Sequence, residues 1–324
     1  MQPSRTSVMS HQTNRVRISQ QLMWPVVAAL ALVATPATAG SGFSFTWGNA
    51  VQGSGKTVEM QRSVASFDRV NISDGLQVVL RQAATQKVTV KADDNLEPLI
   101  ETQVEGATLK VKTKSNTSIS TRNPMLVMID YVQLSSLAIN DGVKAELDLV
   151  KGTMFEARAS DGSNLRLGDV TVADFSIKIE DGSRAAVGNV RASSVQRFRV
   201  ADGASLTIES ATGDRAMLSV ADGASATVRA MDVKAFDASV ADGARAEVAG
   251  VAVQQTYSVA DAASVDAQKL RGTSARARAS DGSSLKLGQV LTLDVDANDG
   301  STVRYTGEPT ITRRVRDGAT LKKI

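Results

Sequence analysis

The residues best placed to do chemistry are aspartates at a fixed spacing. Asp141, Asp161, Asp181, Asp202, Asp222, Asp242, Asp261, Asp281, Asp299 and Asp317 follow one another at steps of 20, 20, 21, 20, 20, 19, 20, 18 and 18 residues. All but Asp261 are followed by glycine: Gly142, Gly162, Gly182, Gly203, Gly223, Gly243, Gly282, Gly300 and Gly318. Ala262 takes that place after Asp261, and Asp74-Gly75 is an early outlier. Carboxylates on a structural period stack into a line. A line of acids could share a hard cation, and calcium suits it because it takes several oxygen ligands. It could also supply the pair of carboxylates that a glycosidase needs. A third use needs no ligand: Gly takes positive φ without steric cost, and Asp bonds its own nearby backbone, so the pair makes a turn. One Asp per period is a thin ligand set, and the Gly-Gly-x-Gly-x-Asp calcium repeat is absent. Turn chemistry is therefore favoured, with no cofactor required and calcium as the alternative. Stacked carboxylates repel. The expected relief is backbone N–H donation within each turn, helped by a basic column three residues earlier: Arg158, Lys178, Arg199, Arg278 and Arg314.

Other chemistry is excluded by what the chain lacks. It has no cysteine and a single histidine, His11. Residues 1–39 carry Arg5, Arg15 and Arg17, no acid, an apolar run from Leu22 to Ala34, and Ala37-Thr38-Ala39 before Gly40. This is the pattern of a secretory signal peptide with cleavage marked by Ala37 and Ala39. The apolar run, with Pro25 inside it, is too short to span a bilayer. Export would remove His11 as well. Thiol nucleophiles, Ser-His-Asp triads and the usual zinc ligand sets are then ruled out. The 37 basic residues fall to 34 on cleavage, equal to the 34 acidic ones. A neutral mature chain gives no reason to expect nucleic acid or an anionic membrane as partner.

The elements that position the aspartates follow from the same period. Two residues before the Asp stand apolar residues such as Ile139, Ile179, Val200, Val220 and Val240; four and six after it stand Leu165 and Leu167, Leu206 and Ile208. Odd offsets are mostly polar. Alternation with a period of two marks strands. Each unit reads strand, Asp-Gly turn, strand, second corner. Asp-Gly is also the strongest short hairpin signal. Every unit, however, has the same orientation and nearly the same length, so like should stack on like. The expected fold is an all-β, single-stranded parallel β-helix with coils of about 20 residues, right-handed by preference, over residues 125–324. At about 4.8 Å per coil its nine steps make a rod of roughly 43 Å. Inward columns rich in Ala and Val imply a narrow bore. Residues 40–124 are less regular and should form an N-terminal cap and the first strands of the same domain. They include strands at 88–92 and 109–113 and a short helix near Glu97, capped by Asn95 with Pro98 in its first turn.

The front block carries a resemblance. Val51-Gln-Gly-Ser-Gly-Lys56, Phe67-Asp-Arg-Val70, Val88-Thr-Val-Lys-Ala-Asp-Asp-Asn-Leu96 and Ile100-Glu-Thr-Gln-Val104 resemble the GIN-domain family of auto-transporter adhesin heads. The resemblance covers most of residues 50–320. It implies an exported protein built on a stack like a parallel β-helix. The family's usual Ser-Gly-Ser-Gly turn is replaced here by Asp-Gly-Ser/Ala, so the ladder of acids is not a family trait. No stretch of alternating amphipathic strands able to form a membrane barrel follows the repeats.

Two functions compete. The first is a non-catalytic structural or adhesive module that presents a rigid surface to glycans or cell-envelope partners, in the periplasm or at the surface of a cell with a Gram-negative-type envelope. The second is a polysaccharide lyase or glycosidase with acidic calcium sites. Enzymes on such scaffolds usually carry long insertions that build a cleft, and none interrupts residues 141–324. The first reading is therefore favoured.

Overall fold

The computed structural model describes residues 50–324. The proposed signal peptide, with Ala37 and Ala39, lies outside the described residues. Twenty-two strands join in one continuous sheet that winds as a β-solenoid of about nine turns. A separate two-stranded pair joins Val51–Gln52 to Ile119–Ser120.

Each coil has three flat runs. In the strand Asn164–Ile179 the alternation of buried and exposed residues slips phase at Gly168-Asp169 and again at Ala173-Asp174. These slips are two corners, and the Asp-Gly turn is the third. We call the run before the turn face A, the run after it face B and the remaining short run face C. Neighbouring coils pair in parallel and in register, for example Ile177 with Phe198 on face A and Leu165 with Ala185 on face B.

The corners explain the period. Asp and the following residue both have positive φ in every repeat, from 50° to 57° for the ladder aspartates and 57° for Ala262. The turn closes with a bond between its ends, as from the Ser183 N–H to the Glu180 carbonyl at 3.0 Å. Two successive positive φ values define the turn of a two-residue hairpin. Here the same chemistry bends a coil, because the flanking strands find partners in the coils above and below rather than in each other. Asp and Asn are the non-glycine residues most at ease in that region. At the second corner the demand is for space. A Cβ on Gly168 would lie 2.1 Å from the Asp148 carbonyl oxygen of the previous coil.

The core is a set of columns. Those nearest the turn are mostly Ala and Val, with Ile and Leu among them, and small Ser or Ala is buried two residues after most of the aspartates, as at Ser163, Ser183, Ala204 and Ala224. The columns four and six residues before the Asp are wider and hold aromatics. Phe155 stacks on Phe175 at 6.1 Å, Phe198 meets Phe175 edge-on at 6.2 Å, and Phe236 meets Tyr257 at 6.0 Å. The bore is thus narrow only at the Asp-Gly corner. Tyr257 stays in the core because its hydroxyl donates to Gln255 Oε1 at 2.8 Å. Burial raises its pKa.

The stack begins earlier in the chain than residue 125. Arg69–Ile72 and Gln77–Gln82 flank Asp74 and pair in parallel with Ser136–Ile139 and Lys144–Lys151. On their other side lie Thr108–Thr113 and Leu126–Tyr131, which come later in sequence. The coil of Asp74 is therefore sandwiched between two coils that follow it. Beyond them the strands turn antiparallel: Ile100–Glu105 pairs with Thr108–Thr113, while Lys87–Asp93 pairs with Leu126–Tyr131 and with Thr57–Arg62. This covers the edge of the stack. The short helix is one 3-10 turn, Glu97–Leu99, with Leu96 at its N-cap and no side-chain cap. Asn95 instead ties down the front strand, accepting from the Ser54 N–H at 2.9 Å and donating to the Gln52 carbonyl at 2.7 Å.

Candidate binding face

The ladder is continuous and faces solvent. The Gly75 N–H donates to the Asp141 carbonyl at 2.8 Å, Gly142 to Asp161, Gly162 to Asp181, and so on to Gly300 and Asp317. Ala262 makes the same bond to Asp281 at 2.9 Å, so the rung needs the backbone shape and not glycine itself. Asp74 thus joins Asp141, Asp161, Asp181, Asp202, Asp222, Asp242, Asp261, Asp281, Asp299 and Asp317 in one line, all of them exposed. Their even offset would point them inward on a strand; the corner turns them out.

The expected relief of their charge differs from what is found. Asp74 accepts from the Thr113 N–H at 2.9 Å, Asp161 from the Ser160 hydroxyl at 2.8 Å, and Asp141 and Asp299 from the preceding asparagines. Among the described residues no such donor reaches the carboxylates of Asp181, Asp202, Asp222, Asp242, Asp261 or Asp281. Desolvation, Asp161, Asp202 and Glu180 together raise the pKa of Asp181, in that order, against Lys178. Among the described residues no group of three or more acids, His or Cys is arranged to hold a metal ion.

The basic column does not screen the ladder by contact. Arg158 pairs with Glu156 at 2.6 Å, Lys178 with Glu180 at 2.6 Å, and Arg314 with Asp296 at 3.4 Å. These cations stand on face A, whose outward side is the most differentiated surface of the rod. A shallow groove of about 380 Å³ runs across it from the coil of Asp161 to that of Asp261. Its floor is a change in one column. Three residues before the Asp, successive rungs carry Arg158, Lys178, Arg199, then Ser219, Ser239, Ser258, then Arg278. Three short side chains in register leave a trough between longer ones. The column five before the Asp adds Arg197, Met217, Asp237 and Thr256 in register beside it. Arg215 pairs with Asp237 at 2.7 Å. Arg197, Arg199 and Arg278 are exposed and make no ion pair among the described residues. The sequence column of cations pointed to this face, and its break into serine stands at the same offset from the Asp, three residues before Asp222, Asp242 and Asp261.

Comparison with known proteins agrees with this architecture. The sequence profile of the family described as "Putative auto-transporter adhesin, head GIN domain" matches residues 66–191 and again 185–309. The chain belongs to the GIN-domain family. Two crystal structures share its fold. One, titled a putative adhesin from Parabacteroides distasonis, is 15% identical, with 85% of this chain and 100% of that chain covered at a TM-score of 0.56. The other, a putative adhesin from Parabacteroides merdae, is 14% identical, with 85% and 99% covered at a TM-score of 0.54. No curated protein matches the chain. Among the described residues no helix is long and apolar enough to cross a membrane.

Proposed function

We propose that the protein is an exported, non-catalytic adhesion module that presents a rigid solenoid face to a glycan or another cell-envelope component. One observation carries this: eleven stacked rungs hold face A flat and in register, so its outward side chains form a fixed array rather than a mobile surface. Rigid presentation lowers the ordering cost of binding an extended polymer. The coils from Asp141 to Asp317 keep nearly constant length, with no insertion that would build a walled cleft. The family's adhesin character points the same way. The test is binding of the purified chain to a panel of neutral and acidic glycans, with product analysis of each. Binding without turnover is expected. Loss of any glycan mass would overturn the non-catalytic reading, and no binding across the panel would overturn adhesion to glycans. Fractionation of the producing cell is expected to place the chain in the periplasm or at the surface.

A further inference from the structure

We propose that the serine trough of face A is a subsite for an acidic polysaccharide that lies along the rod axis and is clamped at both ends by unpaired arginines. The proposal rests on the adhesion reading and names its ligand and its site. Arg197 and Arg199 stand side by side at one end of the trough; Arg278 stands at the other, four rungs from Arg199. At about 4.8 Å per rung the two ends are roughly 19 Å apart. Between them lie the hydroxyls of Ser219, Ser239 and Ser258, with Met217 and Asp237 alongside, the Asp237 carboxylate already paired with Arg215.

The chemistry of this surface selects among partners. Arg158, Lys178 and Arg199 occupy the same place on three successive rungs, so like charges are held one strand spacing apart. Glu156 and Glu180 neutralise the first two. Arg199 and Arg197 have no such acid, and a guanidinium fork is suited to a carboxylate or sulfate. A pyranose ring offers hydroxyls at its rim and C–H groups on its faces, and the trough offers hydroxyls beside a thioether. A strand spacing is close to the length of one sugar unit, so a repeating acid can meet a repeating rung. A peptide strand adds to an open sheet edge through its backbone, and every rung here is paired on both sides. Single-stranded nucleic acid wants aromatic platforms, and the aromatic beneath this groove, Phe198, is buried in the core.

The experiment measures binding of the full chain to polygalacturonate, alginate and hyaluronan, to neutral dextran, and to vesicles of equimolar phosphatidylcholine and phosphatidylglycerol. Arg197→Glu with Arg199→Glu reverses one clamp, and Ser239→Tyr fills the trough with a residue that an exposed strand position accepts well. Arg184→Glu with Arg245→Glu makes the same charge change on face B, where both arginines are exposed. The expected result is salt-sensitive binding to at least one acidic polysaccharide, weakened at least tenfold by either face A variant and unchanged by the face B variant. Matching thermal melts would show that all variants fold. Dextran bound as tightly as the acids, with no effect of the clamp reversal, would overturn this proposal and leave adhesion standing. Equal loss from the face B variant would reduce the effect to overall charge and overturn it. Binding to the anionic vesicles alone would overturn it in favour of a membrane surface. No binding to any polysaccharide would overturn this proposal and, with it, adhesion to glycans.

Discussion

The cap and the stacked coils solve the same electrostatic problem in opposite ways. In the cap the buried acids each have their own partner. Glu97 is buried against Arg62 at 2.7 Å, and Asp93 accepts from Asn123 at 2.7 Å and from Thr121 at 3.1 Å. These bonds, Asn123 first, lower the pKa of Asp93 despite its burial. In the stack desolvation, and after it the neighbouring Asp161 and Asp202, raise the pKa of Asp181. A cap is built once and can choose each partner. A repeat must place every residue beside its own copy, so any charge at a position the backbone dictates becomes a row of like charges. Repetition therefore reports what the corner requires, and the places where a column departs from itself report what the surface is for.

The largest effect that would break this contrast lies in the core common to all coils. Phe175→Ala should cost about 3–5 kcal/mol, because it empties the space between Phe155 and Phe198. Urea denaturation measures it, and a cost below 1 kcal/mol would mean that the coils do not depend on their aromatic column. Next is the cap. Arg62→Met strands the buried Glu97 carboxylate and frees the Glu97 and Ile100 carbonyls, so a loss of about 3 kcal/mol is expected. The two corners should then separate cleanly. Gly168→Ala meets the Asp148 carbonyl and should cost about 2–3 kcal/mol. Gly162→Ala meets nothing and should cost about 1 kcal/mol, the conformational penalty that Ala262 already bears. Equal costs would show that the second corner can open.

Acid should divide the two regions by sign. Asp93 has a lowered folded pKa, so its contribution is present above the unfolded value and is lost as pH falls through the folded one. Asp181 has a raised folded pKa, so the folded chain holds its proton better and stability declines as pH rises through the carboxylate range. Asp93→Asn should therefore lower Tm at neutral pH, and Asp181→Asn should raise it, with both differences shrinking in acid. A drop in Tm for Asp181→Asn at neutral pH would show that the ladder charge stabilises the fold. The smallest expected effect is that of calcium. Added calcium or a chelator should leave Tm unchanged if the ladder serves only as a corner, and a saturable rise would return the metal reading to it.

Much of this fold was legible because repetition is a local signal seen many times. The spacing of Asp-Gly set the coil length, and alternation around it set which residues face in. The rung at Asp74 was not legible as part of the stack. Residues 83–135 intervene before the next Asp-Gly coil begins, and parallel pairing across such a gap leaves no mark on either segment. The aromatic columns were missed for a related reason. Phe155, Phe175, Gln196, Ala216 and Phe236 share one column without sharing a residue type, because widely spaced walls accept large and small side chains in alternation. Gln196 enters the core by donating to the Thr212 carbonyl at 2.9 Å, a partner set by the fold.

By itself the sequence determined the period, the turn and the inward columns, since each follows from φ preferences and hydrophobic alternation within a few residues. Which way the aspartates point and which acids the basic column pairs with were decided only in three dimensions. They depend on corners that reverse facing and on neighbours about 20 residues away in sequence but one strand spacing away in space.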